Sequence, residues 1–250
     1  MDRQQKSEST VDADEVAHFS RLSEQWWDAR GPLKALHKFN PVRVGYVRER
    51  AAKRFGRDPA SADCLVGLRI LDIGCGGGIL SEPVARLGAA VIGVDPAQSN
   101  IAVAQHHAAR EGLAIDYRCA TAEALAAAGE TFDVVLAMEV VEHVADVDLF
   151  VELAVAMVKP GGLIFLATFN RTLKSLALGI LAAECVLRWV PRGTHQWRKF
   201  ITPEELAIMV ERNRARIIDR AGVSYKIHTH RWRLSDDLDI NYMLAAQKAA

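Results

Sequence analysis

The strongest constraint on this chain is a run of four glycines in five positions, Gly74-Cys75-Gly76-Gly77-Gly78, placed directly after the short apolar segment Arg69–Ile73. Glycine there lets the backbone turn sharply and lets a ligand approach without a Cβ in the way. A strand that ends in such a loop and then opens a helix is the entrance to a nucleotide-type site in an open α/β sheet. Two phosphate-binding readings fail on residue identity. The dinucleotide fingerprint needs glycine at its first, third and sixth positions, and here those are Gly74, Gly76 and Ile79. A P-loop needs a Gly-Lys-Ser/Thr ending, which does not follow.

The rest of the chain supports a parallel sheet. Apolar runs at 69–73, 90–94, 115–119, 132–138 and 163–168 alternate with helical patterns at 97–111, 122–128 and 147–158. Continuous apolar strands alternating with helices mean a sheet covered on both faces. Two further strands, at about 216–229 and 240–247, follow a helix over 203–212. Seven strands are therefore expected. KPGG at 159–162 reads as the turn before the fifth strand. Residues 1–11 read as a disordered tail and residues 12–63 as an N-terminal helical cap, with helices over 12–29 and from about Pro41 to Phe55. GRDPASAD (56–63) marks the boundary to the main domain, 64–250, and residues 170–200 interrupt its rhythm as an insertion after strand 5.

Composition removes some function classes. Lys plus Arg and Asp plus Glu are 31 each, so no basic surplus argues for nucleic acid. The four cysteines, Cys64, Cys75, Cys119 and Cys185, form no CxxC pair, which disfavours a structural zinc and suits a reducing compartment. The polar N-terminus lacks an apolar signal core, and no long uncharged apolar run predicts a membrane span. A cytoplasmic location is expected.

The remaining pattern, D-x-G-x-G-x-G from Asp72 to Gly78, resembles the first motif of class I S-adenosylmethionine-dependent methyltransferases. That cofactor carries no pyrophosphate and so needs no helix N-terminus aimed at phosphates. Asp72 is placed to tie the loop down. Asp95, 21 residues after Gly74 at the end of the second strand, can accept two ribose hydroxyls or cap the next helix. Where many relatives carry Asp, this chain has Thr121, which leaves the adenine contact to the backbone of Ala122 or the carboxylate of Glu123. Met138 closes the fourth strand and can pack on the adenine or ribose. Beyond it, Glu139, Glu142 and His143 share one side if the segment is helical. A phenol, with a pKa near 10, needs help to attack a methyl group. His143 can serve as a general base. Alternatively, the three side chains can hold a divalent cation such as Mg²⁺ or Zn²⁺ that acidifies a bound catechol.

More specific stretches narrow the resemblance. FSRLSEQWWDARGPLKALHKFNPVRVGYV (19–47), DIGCGGGILSEPVARLGAAVIGVD (72–95), MEVVEHV (138–144), MVKPGG (157–162), TFNRTLKSL (168–176), VPRGTHQWRKFITPEEL (190–206) and DINYM (239–243) are similar to the O-methyltransferases of ubiquinone biosynthesis. The resemblance runs from about residue 12 to the C-terminus. It implies a Rossmann-like class I fold and S-adenosylmethionine as methyl donor. It implies polyprenylated phenol or quinol acceptors, 2-polyprenyl-6-hydroxyphenol and 3-demethylubiquinol. It also implies cofactor contacts at Arg43, Gly74, Asp95 and Met138, to which the loop adds Gly76. It raises the metal route too, through the Glu-x-x-Glu-His cluster. A guanidinium at Arg43 can pair with the methionine carboxylate.

Such a substrate lives in a bilayer. In LKSLALGILAAECVLRWV (173–190), Lys174, Glu184 and Arg188 fall within about 80° of a helical wheel. The other positions are mostly apolar, so this segment is expected to lie on a membrane surface, with nearby Arg192, Arg198 and Lys199 meeting anionic lipid. Thr194 and His195 stand beside them, His195 as a second candidate base. Trp26 and Trp27 are candidates for a lid. A methyltransferase for another small acceptor, and a non-catalytic cofactor-binding scaffold among other ubiquinone-biosynthesis proteins, remain as alternatives.

Overall fold

The computed structural model describes residues 9–176, 197–226 and 231–250. The centre is one eight-stranded sheet in the order β3-β2-β1-β4-β5-β8-β6-β7. β1 (Arg69–Ile73), β2 (Ala90–Asp95), β3 (Asp116–Cys119), β4 (Phe132–Met138) and β5 (Val158–Phe169) are parallel. β8 (Asn241–Lys248) enters antiparallel between β5 and β6 (Ala215–Lys226), and β7 (Arg231–Ser235) forms the edge. Chain progression reverses between β1 and β4. The carboxyl ends of those two strands therefore splay their following loops apart and leave a crevice.

Helices cover both faces. α5 (Ala122–Ala127), α6 (Val147–Ala156) and α7 (Pro203–Arg212) lie over one core cluster that includes Leu71, Val135, Ile164 and Leu244. On the other face, α2 (Lys34–Arg54) and α3 (Ser81–Arg86) pack on Ile70, Val134, Leu136 and Phe165. α4 (Gln98–Arg110) closes a smaller cluster with Tyr117. α7 starts where sequence dictates: Thr202 and Glu205 form a reciprocal capping box, with Pro203 in the first turn.

The class of fold is as expected, and four boundaries differ. The sheet has eight strands because the edge hairpin β6–β7 adds one. RWRLS carries no alternation, since an edge strand buries little. KPGG lies within β5: Val158 already pairs with Phe132, and the register shifts between Phe132 and Val134 where Gly161 takes a positive φ of 75°. α2 begins seven residues before Pro41 and carries that proline inside it. The proline removes one helical N–H, but the flanking Phe39, Asn40, Arg43, Tyr46 and Val47 are buried and hold the helix in place. Finally, the first helix is only α1 (Ala13–Arg21), capped by Asp12, and a 3₁₀ turn over Ser23–Gln25 follows. Residues 9–11 belong with α1: Thr10 is buried, its carbonyl accepts from Ala145 N at 2.9 Å, and its N–H donates to Glu123 Oε1.

α2 is thus part of the core, and the cap proper is the strap from Ser9 to Leu33. Most of the insertion, including Thr194 and His195, lies outside the described residues. Of its described charges, Lys174 donates to Asp237 (2.6 Å) and Asp239 (3.2 Å) in the loop before β8.

Candidate cofactor and active site

The glycine loop is pinned from two sides. The N–H groups of Gly74 and Cys75 donate to Val94 O at 2.8 and 3.0 Å, and Gly76 N donates to Asp95 Oδ2 at 3.1 Å. Ser81 donates to Asp72 Oδ2 at 2.6 Å, tying the strand end to the first residue of α3. Gly74 and Gly76 have φ of 68° and 52°, where side chains are strained. A Cβ on Gly74 would come within 2.6 Å of Val140, and one on Gly76 within 2.3 Å of the Trp26 ring.

That last contact corrects an expectation. The ledge at Gly76 and Gly77 is covered by Trp26 and lines neither cavity. Only the Gly74 end of the loop is open. Gly76 acts through its N–H on Asp95. Trp26 donates to Asn100 Oδ1 at 2.9 Å, and Asn100 donates to Asp95 Oδ1 at 3.1 Å, so the strap is wired to the carboxylate at the end of β2. Trp27 donates to Gly77 O at 2.9 Å and lies flat on His107, ring centroids 3.5 Å apart. His107 Nδ1 in turn meets the buried Glu82 carboxylate at 2.6 Å. Both tryptophans therefore cover the glycine loop.

Two cavities meet beneath this lid. The first encloses about 790 Å³, its open mouth included, and lies between Gly74, Asp95, Asn100, Ala122 and the strap residues Thr10 and Phe19. The second is lined by Arg43, Asp72, Met138, Glu142 and Leu36. Gly74, Glu139 and His143 line both. Met138 thus faces the second cavity and not the first.

The charged groups are mostly carboxyls. Burial pushes Asp72 up to about 6, against the pull of Ser81 and Arg43. Burial also raises Asp95, despite hydrogen bonds from Ala97 N, Asn100 and Gly76 N. Glu142, buried beside Glu139, is raised well above the carboxylate range, and neither of its oxygens has a hydrogen-bond partner. Glu139 itself sits at φ 60°, a strained turn directly after β4. Arg43, on α2, is buried. Its Nη2 donates to Asn40 Oδ1 at 3.1 Å, and its Nε has no partner. An orphaned guanidinium N–H beside several under-compensated carboxyls suits a ligand that carries both a carboxylate and positive charge.

The proposed metal cluster is not assembled. Among the described residues no three His, Cys, Asp or Glu side chains are placed to share an ion. Residues 141–143 form a 3₁₀ turn, not the α-helical turn that would align Glu139, Glu142 and His143. His143 instead sits against α1, with Nδ1 3.1 Å from Glu15 Oε2 and its ring edge-on to Phe19 at 5.1 Å. Thr121 serves as the cap of α5, accepting from Ala124 N at 3.3 Å, and Glu123 Oε1 is taken by Thr10. The Ala122 backbone is the adenine-side candidate left open. Sequence reading missed Glu15, Thr10 and Asn100. Asn100 had a weak signal, an amide in the first turn after the acidic strand end. Thr10 and Glu15 had none.

Comparisons with known proteins identify the family and the fold. Residues 71–166 match the family model described as a methyltransferase domain. The chain is 57% identical over 242 residues to a ubiquinone biosynthesis O-methyltransferase of Rhizobium etli, covering 97% of this chain and 98% of that one. The enzyme of the same name from Brucella ovis is also 57% identical, with the same coverage. Among solved structures, a magnesium protoporphyrin IX methyltransferase from Synechocystis with bound SAH superposes with a TM-score of 0.63 at 19% identity, covering 93% of this chain and 95% of that one. A Thermotoga maritima SAM-dependent methyltransferase gives 0.62 at 15% identity, covering 94% and 99%. At those identities the likeness is one of fold.

Proposed function

The chain belongs to the ubiquinone biosynthesis O-methyltransferase family, and on that premise we propose that it methylates the phenolic hydroxyls of 2-polyprenyl-6-hydroxyphenol and 3-demethylubiquinol. The observation that carries this is the 57% identity across 97% of the chain to enzymes of that name. S-adenosylmethionine supplies an activated methyl group on a sulfonium. The protein's task is to hold that sulfonium in line with a phenolic oxygen and to remove the phenol's proton.

In this reading the adenosine half lies in the first cavity. Asp95 takes the ribose and the backbone of Ala122 faces the adenine. The methionine half crosses Gly74 into the second cavity, where Arg43 takes the carboxylate and Met138 forms the wall. The raised carboxyls favour a cationic ligand, because a positive sulfonium and ammonium offset the burial of their charge. His143 lines both cavities and so borders the junction of the adenosine and methionine halves, where the sulfonium would sit, which supports it as the general base. No step runs through a metal, since its candidate ligands are not gathered. The polyprenyl tail requires contact with a bilayer. The wheel of 173–190 supports a peripheral membrane position; a cytoplasmic enzyme on the inner membrane, in company with other ubiquinone-biosynthesis proteins, completes the reading. No described helix is long and apolar enough to cross a membrane.

Methylation of short-chain analogues of both catechols, with and without EDTA, tests the reading. Turnover on both is expected. Cofactor binding without turnover on either would favour the scaffold alternative. A collapse in EDTA reversed by Mg²⁺ would restore the metal route. For the membrane surface, Leu181→Glu with Leu187→Glu is expected to abolish liposome flotation, and undiminished flotation would remove 173–190 from that role.

A further inference from the structure

The base is assembled from two parts of the chain 128 residues apart. His143 sits on the turn after β4. The carboxylate it faces, Glu15, sits on α1 of the strap. We propose that Glu15 is the positioning residue for His143, so that the catalytic imidazole acquires its working tautomer only when the strap is seated. The proposal rests on the reading of His143 as base and adds the group that orients it.

The geometry is specific. Glu15 and Phe19 are four residues apart, hence on one face of α1, and both meet the imidazole: the carboxylate at Nδ1, the aromatic ring edge-on. Together they fix the ring's position and rotation. The two oxygens of Glu15 divide their work. Oε2 faces His143 Nδ1, and Oε1 accepts from Lys199 Nζ at 3.0 Å. Lys199 also donates to Asp12 Oδ2 at 2.9 Å, the cap of the same helix. An ionised carboxylate can only accept, so the Nδ1 it faces must carry the proton. The lone pair is thereby left on Nε2, the nitrogen that can take a proton from a phenol. The Glu15 and His143 side chains are only 14% and 13% exposed, so water competes little for the contact. The Lys199 ammonium on Oε1 is the cation that keeps this carboxylate ionised.

The consequence is a chemical interlock. Trp26 and Trp27 anchor the strap on the glycine ledge and on His107. The same strap delivers Glu15 to the base. An enzyme with its strap lifted exposes the cofactor cavity and holds a mis-set imidazole; with the strap down, the cavity is covered and the base is ready.

The test is steady-state kinetics on purified full-length variants with a short-chain catechol, together with two-bond ¹⁵N–¹H histidine spectra. Glu15→Gln is expected to lower kcat by about 10–100-fold, as loss of an orienting carboxylate does. The KM for S-adenosylmethionine should move less than about threefold, and the His143 signals should leave the Nδ1–H pattern. Asp12→Asn removes the charge of the other Lys199 partner but keeps a capping side chain on α1 and leaves Glu15. It should raise that KM and keep kcat within about twofold. A kcat for Glu15→Gln within threefold of wild type would overturn the positioning role, and so would an equal kcat loss in Asp12→Asn. His143→Gln separates the two readings: if it retains full kcat, the base assignment itself falls; if it is inactive while Glu15→Gln is unimpaired, only the interlock falls.

Discussion

α1 and α2 are neighbours in the chain and read together as one cap, yet they are held by different forces. α2 buries Phe39, Tyr46, Val47, Ala51 and Ala52 against the sheet. α1 has no fully buried residue. It is clasped by Lys199 on Asp12 and Glu15, by His143 on Glu15, and through Thr10 by Glu123 and Ala145. Apolar burial cannot be undone without exposing the core to water. The clasp is polar, and releasing it uncovers no apolar core. The difference teaches that the apolar core ends at α2 and that α1 is laid over the crevice by polar contacts.

The largest expected effect tests the buried side of that contrast. Tyr46 is fully buried, edge-on to Phe165 at 5.8 Å, with Arg50 stacked on its ring at 3.8 Å. Tyr46→Ala should cost roughly 3–5 kcal/mol in urea denaturation. Lys199→Met, which opens the clasp, should cost less, about 1–2 kcal/mol. Comparable losses would erase the distinction.

pH gives the next test, with opposite signs in the two regions. Asp72, under the glycine loop, is raised from 3.8 to about 6. Its contribution is therefore fully present below about pH 4 and lost as pH rises through 6, a swing of up to roughly 3 kcal/mol. Urea titrations should show wild type losing ground to Asp72→Asn across that window, and a constant difference between the two would contradict it. Glu15 is depressed from 4.5 to about 2. Its contribution is present above about 4.5 and lost as pH falls through 2. Hydrogen exchange in the α1 peptide, corrected for intrinsic rate, should therefore quicken between pH 4.5 and 2 before the α2 peptide does. This is the smallest effect, and simultaneous loss of both peptides would make α1 part of the core after all.

Strand alternation, the glycine run and the acidic end of β2 were legible because each is local: a few adjacent residues carry the whole signal. α7 matched its expected span to the residue, since cap, proline and apolar period all lie within it. The edge strand β7 was illegible because its residues are half exposed and charged. The turn at 141–143 was misread because offsets of three and four imply one face only in an α-helix, and the segment is 3₁₀.

The sequence alone determined that this chain builds a doubly wound sheet with an open crevice, and its length of matching motif assigned the family. Only the tertiary structure decided which side chains meet there. It laid Trp26 over Gly76, set residues 141–143 in a 3₁₀ turn, and brought Glu15 to His143. Backbone preferences act over a few residues and are written in order along the chain. Contacts between His143 and a helix 128 positions earlier exist only once the sheet has set the distance between them.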